Sequence, residues 1–139
     1  MALCLPVFTK DAPAPMGGLL SQGIVANGFV FTSGAIAQDP TTGQVIDGDI
    51  EEHTVSPMHQ ELGRDPGGGG SSLNDVVEVT IYMVNSEKFA RMIGVYKTYW
   101  GDVKPVRTTV FMSEIPPKTL LEMKCVGLVT RQEVAKSKV

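Results

Sequence analysis

The sequence predicts a single α+β domain in which a mixed β-sheet carries two helices on one face. Three observations lead there. Strand-like runs and helix-period stretches follow one another as two strands, a helix, a strand, a helix and two strands. The length of 139 residues provides for one hydrophobic core. A composition of 42% hydrophobic and 19% charged residues is that of an ordinary globular chain, which excludes wholesale disorder and coiled coil. Residues 1–139 are read as one domain, with its core over 10–130 and a polar tail over 131–139.

The first ordered element is expected near Gln22. Ile24 and Ala26 on one side, and Phe29 to Ser33 on the other, bracket Asn27-Gly28, a strong hairpin turn signal. Asp39-Pro-Thr-Thr-Gly43 and Asp47-Gly-Asp49 are turn clusters. Asp75 to Val84 reads as a strand with Val77, Val79, Ile81 and Met83 on one face, and with Val76 and Tyr82 covering the other. A helix follows, capped by Asn85 or Ser86. Its stripe is Phe89, Met92, Ile93, Tyr96, Tyr99 and Trp100, a pattern expected of core rather than of a binding box. Gly101 is placed at its C′ position, and Pro105 prevents continuation. Arg107–Met112 and Leu121–Val129 supply the last two strands.

The bulk numbers narrow the function. Twelve basic against fifteen acidic residues give a net charge of −3, so the broad basic surface of a nucleic-acid binder is missing and RNA or DNA is an unexpected partner. No apolar run reaches the roughly 20 residues that span a bilayer, and no secretory signal is read at the start, so no membrane partner is expected. A cytoplasmic address is expected, with a mitochondrial one as the alternative. Cys4 and Cys125 are too few and too distant for a disulfide framework. With His53 and His59, read as surface histidines, they form no plausible zinc set, and neither metal nor cofactor is expected. There is no P-loop, since Gly67–Gly70 runs into Ser71-Ser72, and no G-x-S-x-G nucleophile motif.

Two polar residues stand out by position. Arg107 opens an apolar strand just after Pro105, and Glu122 interrupts Leu120-Leu121-Glu-Met123, where a carboxylate is costly unless paired or useful. A salt bridge or a solvent-facing position would explain either. An Arg and a Glu in a metal-free cleft would also suit a small carboxylate ligand and a positioned water.

These residues sit within a longer pattern. Ala12-Pro-Ala-Pro-Met-Gly17, Leu20-Ser-Gln-Gly23, Gly28-Phe-Val-Phe-Thr-Ser-Gly34, Asp39-Pro-x-Thr-Gly43 and Gly48-Asp-Ile-Glu-Glu52 resemble the RidA/YjgF family of reactive-intermediate deaminases. So do Gly70-Ser-Ser-Leu-Asn-Asp-Val-Val77, Lys104-Pro-Val-Arg107 and Leu121-Glu-Met123, and together they cover residues 10–130 in order. The resemblance implies a chorismate-mutase-like subunit, assembled as a homotrimer with sites between subunits. It implies cofactor-free hydrolysis of 2-imino or 2-enamino acids, such as 2-aminoacrylate, to 2-oxo acids and ammonia. Arg107 would grip the substrate carboxylate, Glu122 would position the attacking water, and the backbone at Ser33 and Gly34 would contact the ligand. At three further ligand-contacting positions this sequence departs from the family: Leu20 replaces a tyrosine, Thr109 a cysteine and Ile93 an asparagine. The departures leave room for an alternative, a non-catalytic protein that binds small carboxylates in the same cleft. A ribonuclease or translation-inhibitor role, attached to some relatives, is a third reading, disfavoured by the acidic charge.

A further departure spans Val55 to Gly70. Relatives carry a long amphipathic helix there, whereas this window holds five of the chain's 15 glycines and two of its 9 prolines. Pro57 is placed in a first helical turn, with Val55, Met58 and Leu62 on one face, and Gly63 and Pro66 are expected to end any helix. One choice of codons for Ser56–Gly70, read one nucleotide later, encodes Arg-Pro-Cys-Ile-Lys-Asn-Leu-Gly-Ala-Ile-Leu-Glu-Ala-Ala. That resembles the family helix and makes a compensated frameshift the expected origin of the window.

Overall fold

The structure, a computed structural model, describes residues 3–8, 13–58 and 73–129. Seven strands form one mixed sheet: β1 Leu5–Val7, β2 Gly23–Ala26, β3 Phe29–Thr32, β4 Ala35–Ile36, β5 Val76–Met83, β6 Val106–Phe111 and β7 Leu121–Leu128. Their order is β1-β2-β3-β7-β5-β6, with β4 also pairing β7. Helix α1 covers Ile50–Pro57 and α2 covers Phe89–Tyr96. This is the α+β architecture expected from the sequence.

The hairpin turns at Asn27 and Gly28, both at positive φ (52° and 81°), as a two-residue turn matched to strand twist requires. Strand β1 precedes the first expected element. Its Leu-Pro-Val run reads poorly as a strand, but β1 is an edge that pairs only with β2, and there a proline costs no ladder bond. Strands β3 and β4 run in succession antiparallel to β7: Phe31 faces Val126, and Ile36 faces Glu122. Between them the ladder breaks at Ser33-Gly34.

Helix α1 starts seven residues before Pro57, not at it. Asp49 and Glu52 form a capping box, with the Asp49 N–H donating to Glu52 Oε2 at 2.8 Å. Pro57 therefore lies in the last turn. Ile50, His53, Thr54, Pro57 and Met58 are buried while Val55 is exposed, so the expected shared face of Val55 and Met58 is absent. Leu62, His59, Gly63, Pro66 and Gly67–Gly70 lie outside the described residues, as do the tail and most of the altered window.

His53 is buried, not at the surface. The Leu120 N–H donates to its Nδ1 at 3.2 Å, which makes Nδ1 the acceptor and sends the Nε2 proton to the Ile46 carbonyl at 3.1 Å. Thr119 Oγ1 lies 3.2 Å from Nδ1 and reaches the Leu121 carbonyl at 3.1 Å. Backbone distant in sequence satisfies the ring, so no local pattern announces its burial.

The parallel pair β5/β6 is joined through α2, and β5 runs antiparallel to β7. Val79, Ile81 and Met83 are buried, but Val77 is exposed because the ladder slips between Val76 and Glu78. Asn85 caps the helical stretch, its side chain accepting from the Glu87 N–H at 2.9 Å. The stripe from Phe89 to Tyr99 falls as expected on α2 and the 3₁₀ turn Lys97–Tyr99, with Trp100 just beyond it and still packed on the core. Gly101 is not a left-handed C′ residue; the helix ends as Trp100 turns extended (φ −107°, ψ 136°). Ile50, Met58, Met92 and Tyr96 of the helical layer pack on Val79, Ile81, Met83, Leu121, Met123 and Cys125, so both helices cover one sheet face. Truncating one of these core side chains to alanine typically costs about 2–5 kcal/mol.

Candidate active site

Side chains alternate across a strand, so register assigns each predicted residue to a face. Arg107 pairs with Val79 and Thr109 with Ile81, which places both on the helix-covered face. Glu122 pairs with Tyr82 and Ile36, on the opposite face. One chain therefore does not bring Arg107 and Glu122 together.

On the helix face, Arg107 is exposed and meets no carboxylate among the described residues. Its Nη1 donates to Thr109 Oγ1. Its Cζ lies over two rings, 5.6 Å from the Phe89 centroid and 5.7 Å from that of Tyr96. Phe111 meets Phe89 edge-on at 5.9 Å. Ile93, between Phe89 and Tyr96 on α2, is half-buried against the core. Burial pushes the Tyr96 phenol up to about 12, partly opposed by the positive charge of Arg107 and the nearby Trp100 indole. The Tyr96 hydroxyl and the Trp100 Nε1 are both buried without a hydrogen-bond partner among the described residues. An orphaned buried donor of this kind carries a desolvation cost.

On the other face, Glu122 is half-buried at the break between β3 and β4. Its carboxylate lies against the backbone of Gly34: a Cβ there would stand 1.8 Å from Oε1. Burial raises the Glu122 carboxyl above its ordinary value. Ser33 is tied down on both sides, its N–H donating to the Gln22 carbonyl at 2.9 Å and its hydroxyl to the Ser21 carbonyl at 2.6 Å. Gln22 Nε2 donates in turn to the Pro13 carbonyl at 3.2 Å. Leu20, next to Ser21, is exposed. The predicted residues thus divide into two half-sites, Arg107 with Thr109 and Ile93, and Glu122 with Ser33 and Gly34. The tether to Ser21 links the exposed Leu20 to the second.

Phe89 and Tyr96 were expected only as core. They do pack on the core, yet they also hold the Arg107 guanidinium. The available signal was an aromatic pair at i, i+7 on a helix followed by a strand that opens with arginine. Among the described residues no group of three His, Cys, Asp or Glu side chains is placed to hold a metal. No described helix is long and apolar enough to cross a membrane.

A mixed sheet backed by two helices, with a strand break seated under a glutamate, defines an α+β fold of the RidA type. The family model described as endoribonuclease L-PSP matches residues 9–129, and the chain belongs to that family, the RidA/YjgF group. It is 40% identical over 127 residues to a RutC family protein of Pyrococcus abyssi, covering 87% of this chain and 94% of that one. It is 25% identical over 122 residues to the 2-iminobutanoate/2-iminopropanoate deaminase of Rattus norvegicus, covering 88% of each. Among solved structures, yeast Mmf1 superposes with a TM-score of 0.84 at 29% identity, covering 92% of this chain and all of that one.

Proposed function

We propose that the chain is a hydrolase of small 2-imino and 2-enamino acids, releasing 2-oxo acids and ammonia from clefts between the subunits of a homotrimer. The observation that carries this is the split of Arg107 and Glu122 onto opposite sheet faces. Each half-site is open and chemically incomplete, and a second copy supplies what the first lacks. The face opposite the helices also carries exposed Phe31, Val106, Val110 and Leu128, the kind of apolar surface that assembly covers.

In this reading Arg107 takes the substrate carboxylate through its unshared N–H donors. Glu122, made more basic by burial, accepts a proton from a water that adds its oxygen to the imine carbon. Glu122 passes that proton to the imine nitrogen, giving a neutral carbinolamine. It then takes the carbinolamine hydroxyl proton and delivers it to the departing nitrogen, so that C=O forms as the C–N bond breaks and ammonia leaves. Imine hydrolysis proceeds unaided in water, so orientation and one general base are sufficient. The name of the rat relative supports this reading.

Subunit mixing tests it. Arg107→Ala and Glu122→Gln variants are each expected to lose nearly all turnover of 2-aminoacrylate, measured as imine trapped by semicarbazide. Unfolded and refolded together, they should recover about a quarter of wild-type activity, because half-sites from different chains combine at random around a symmetric assembly. No recovery in a folded mixed oligomer would rule out a shared site. The family description also names an endoribonuclease. Against that role here, both ring nitrogens of buried His53 are already engaged. RNA cleavage insensitive to Arg107→Ala would place any nuclease outside this site.

A further inference from the structure

We propose that Phe89, Tyr96 and Thr109 are positioning residues that fix the direction in which Arg107 presents its hydrogen-bond donors. This rests on the reading of Arg107 as the carboxylate anchor. An exposed arginine has many rotamers, and an anion that must first order one loses affinity in doing so. Here the Arg107 Cζ lies over two aromatic rings, 5.6 Å and 5.7 Å from their centroids, so the cation is held against both. Thr109 Oγ1 accepts one Nη1 proton. Among the described residues the Nε and Nη2 edge of the fork stays open, the geometry that meets a carboxylate with two parallel hydrogen bonds. Neither ring is free to drift. Phe89 packs edge-on against Phe111, and Tyr96 lies 5.2 Å from the Trp100 ring within the buried layer.

The arrangement has a distinctive consequence. A residue that only stabilises the fold lowers the active fraction, whereas one that orders the anchor changes affinity and leaves the chemical step alone. Trp100, the sole tryptophan, reports on the same cluster and provides a fluorescence signal for binding.

The experiment uses pyruvate as the binding probe, followed by Trp100 fluorescence, and 2-iminopropanoate, made in situ from alanine by an amino-acid oxidase, as the substrate. Phe89→Leu removes a ring and Phe89→Tyr retains one. Thr109→Val removes the hydroxyl acceptor without touching the deep core, and Thr109→Ser restores it. Phe89→Leu and Thr109→Val are each expected to weaken pyruvate binding and raise KM about fivefold, with kcat within about twofold of wild type. The Tyr and Ser variants should recover most of that loss. If Phe89→Leu does not fold, the Thr109 pair still decides. Equal behaviour within both pairs, or losses confined to kcat, would overturn the proposal. A wild-type protein that binds pyruvate without turnover would refute the deaminase reading and leave the clamp to be judged on pyruvate affinity. A wild type that does neither would refute both.

Discussion

The two faces of the sheet treat charge in opposite ways. On the helix-covered face a guanidinium stands in solvent, held by aromatic rings and one hydroxyl. On the open face a carboxylate is drawn partly out of water against a glycine backbone, and its affinity for a proton rises. A cation that captures an anionic ligand by diffusion gains from exposure and order. A carboxylate that removes a proton from water gains from partial desolvation, which makes it a stronger base. The contrast implies that damage on the first face appears in affinity and damage on the second in the chemical step.

Gly34 gives the largest expected effect. A Cβ at this position would meet Glu122 Oε1 at 1.8 Å and Cδ at 2.7 Å, distances no pair of atoms sustains. The obstructing atoms belong to the end of a flexible side chain, so the carboxylate swings away at modest cost to the fold. Gly34→Ala should therefore keep a near-native melting temperature while kcat falls about 100-fold, the scale of a lost general base. A Gly34→Ala protein that unfolds, or whose KM alone rises, would show that the glycine serves the fold or the ligand rather than the carboxylate.

Glu122→Gln sharpens the same contrast through stability. The folded-state value of Glu122 lies above the ordinary 4.5. Below pH 4.5 the carboxyl is protonated in both folded and unfolded chains and contributes no penalty. As pH rises past that point the unfolded chain releases its proton while the folded one retains it, so wild-type stability falls until the folded-state value is passed. Glu122→Gln should then be the more stable protein at pH 7 and lose that advantage at pH 4. Denaturant midpoints at the two values provide the check, and an equal gap at both would remove burial as the cause.

Much of the fold was legible because its signals are local. Asn27-Gly28 sets a hairpin, the Phe89–Trp100 stripe sets a helix, and the β-branched runs set β5 and β6. Failures occurred where a distant partner decides the outcome. His53 is buried because Ile46, Thr119 and Leu120 satisfy it. β1 exists because β2 offers it an edge, and Val77 faces solvent because of a slip in the ladder with β7. The site divided along the same line. Arg107 and Glu122 are conspicuous as polar interruptions of apolar runs, whereas the second role of Phe89 and Tyr96 depends on a contact between helix and strand that no spacing within either element reveals.

Tyr96 completes the comparison with the smallest effect. Like Glu122 it is a polar group placed where water is scarce, its phenol pushed up to about 12 by burial and its hydroxyl without a partner among the described residues. The two differ in use. Glu122 needs its charge for the chemistry proposed above, while Tyr96 contributes a ring to Arg107 and its hydroxyl contributes nothing that the geometry records. Tyr96→Phe retains the ring and removes the orphan, which should stabilise the protein by about 1 kcal/mol, or raise its melting temperature by about 2–4 °C. Calorimetry resolves a shift of that size. A clear loss of stability instead would mean that the hydroxyl does have a partner, either the neighbouring Trp100 indole or a group from a second copy of the chain. The same substitution in a Trp100→Phe background separates the two.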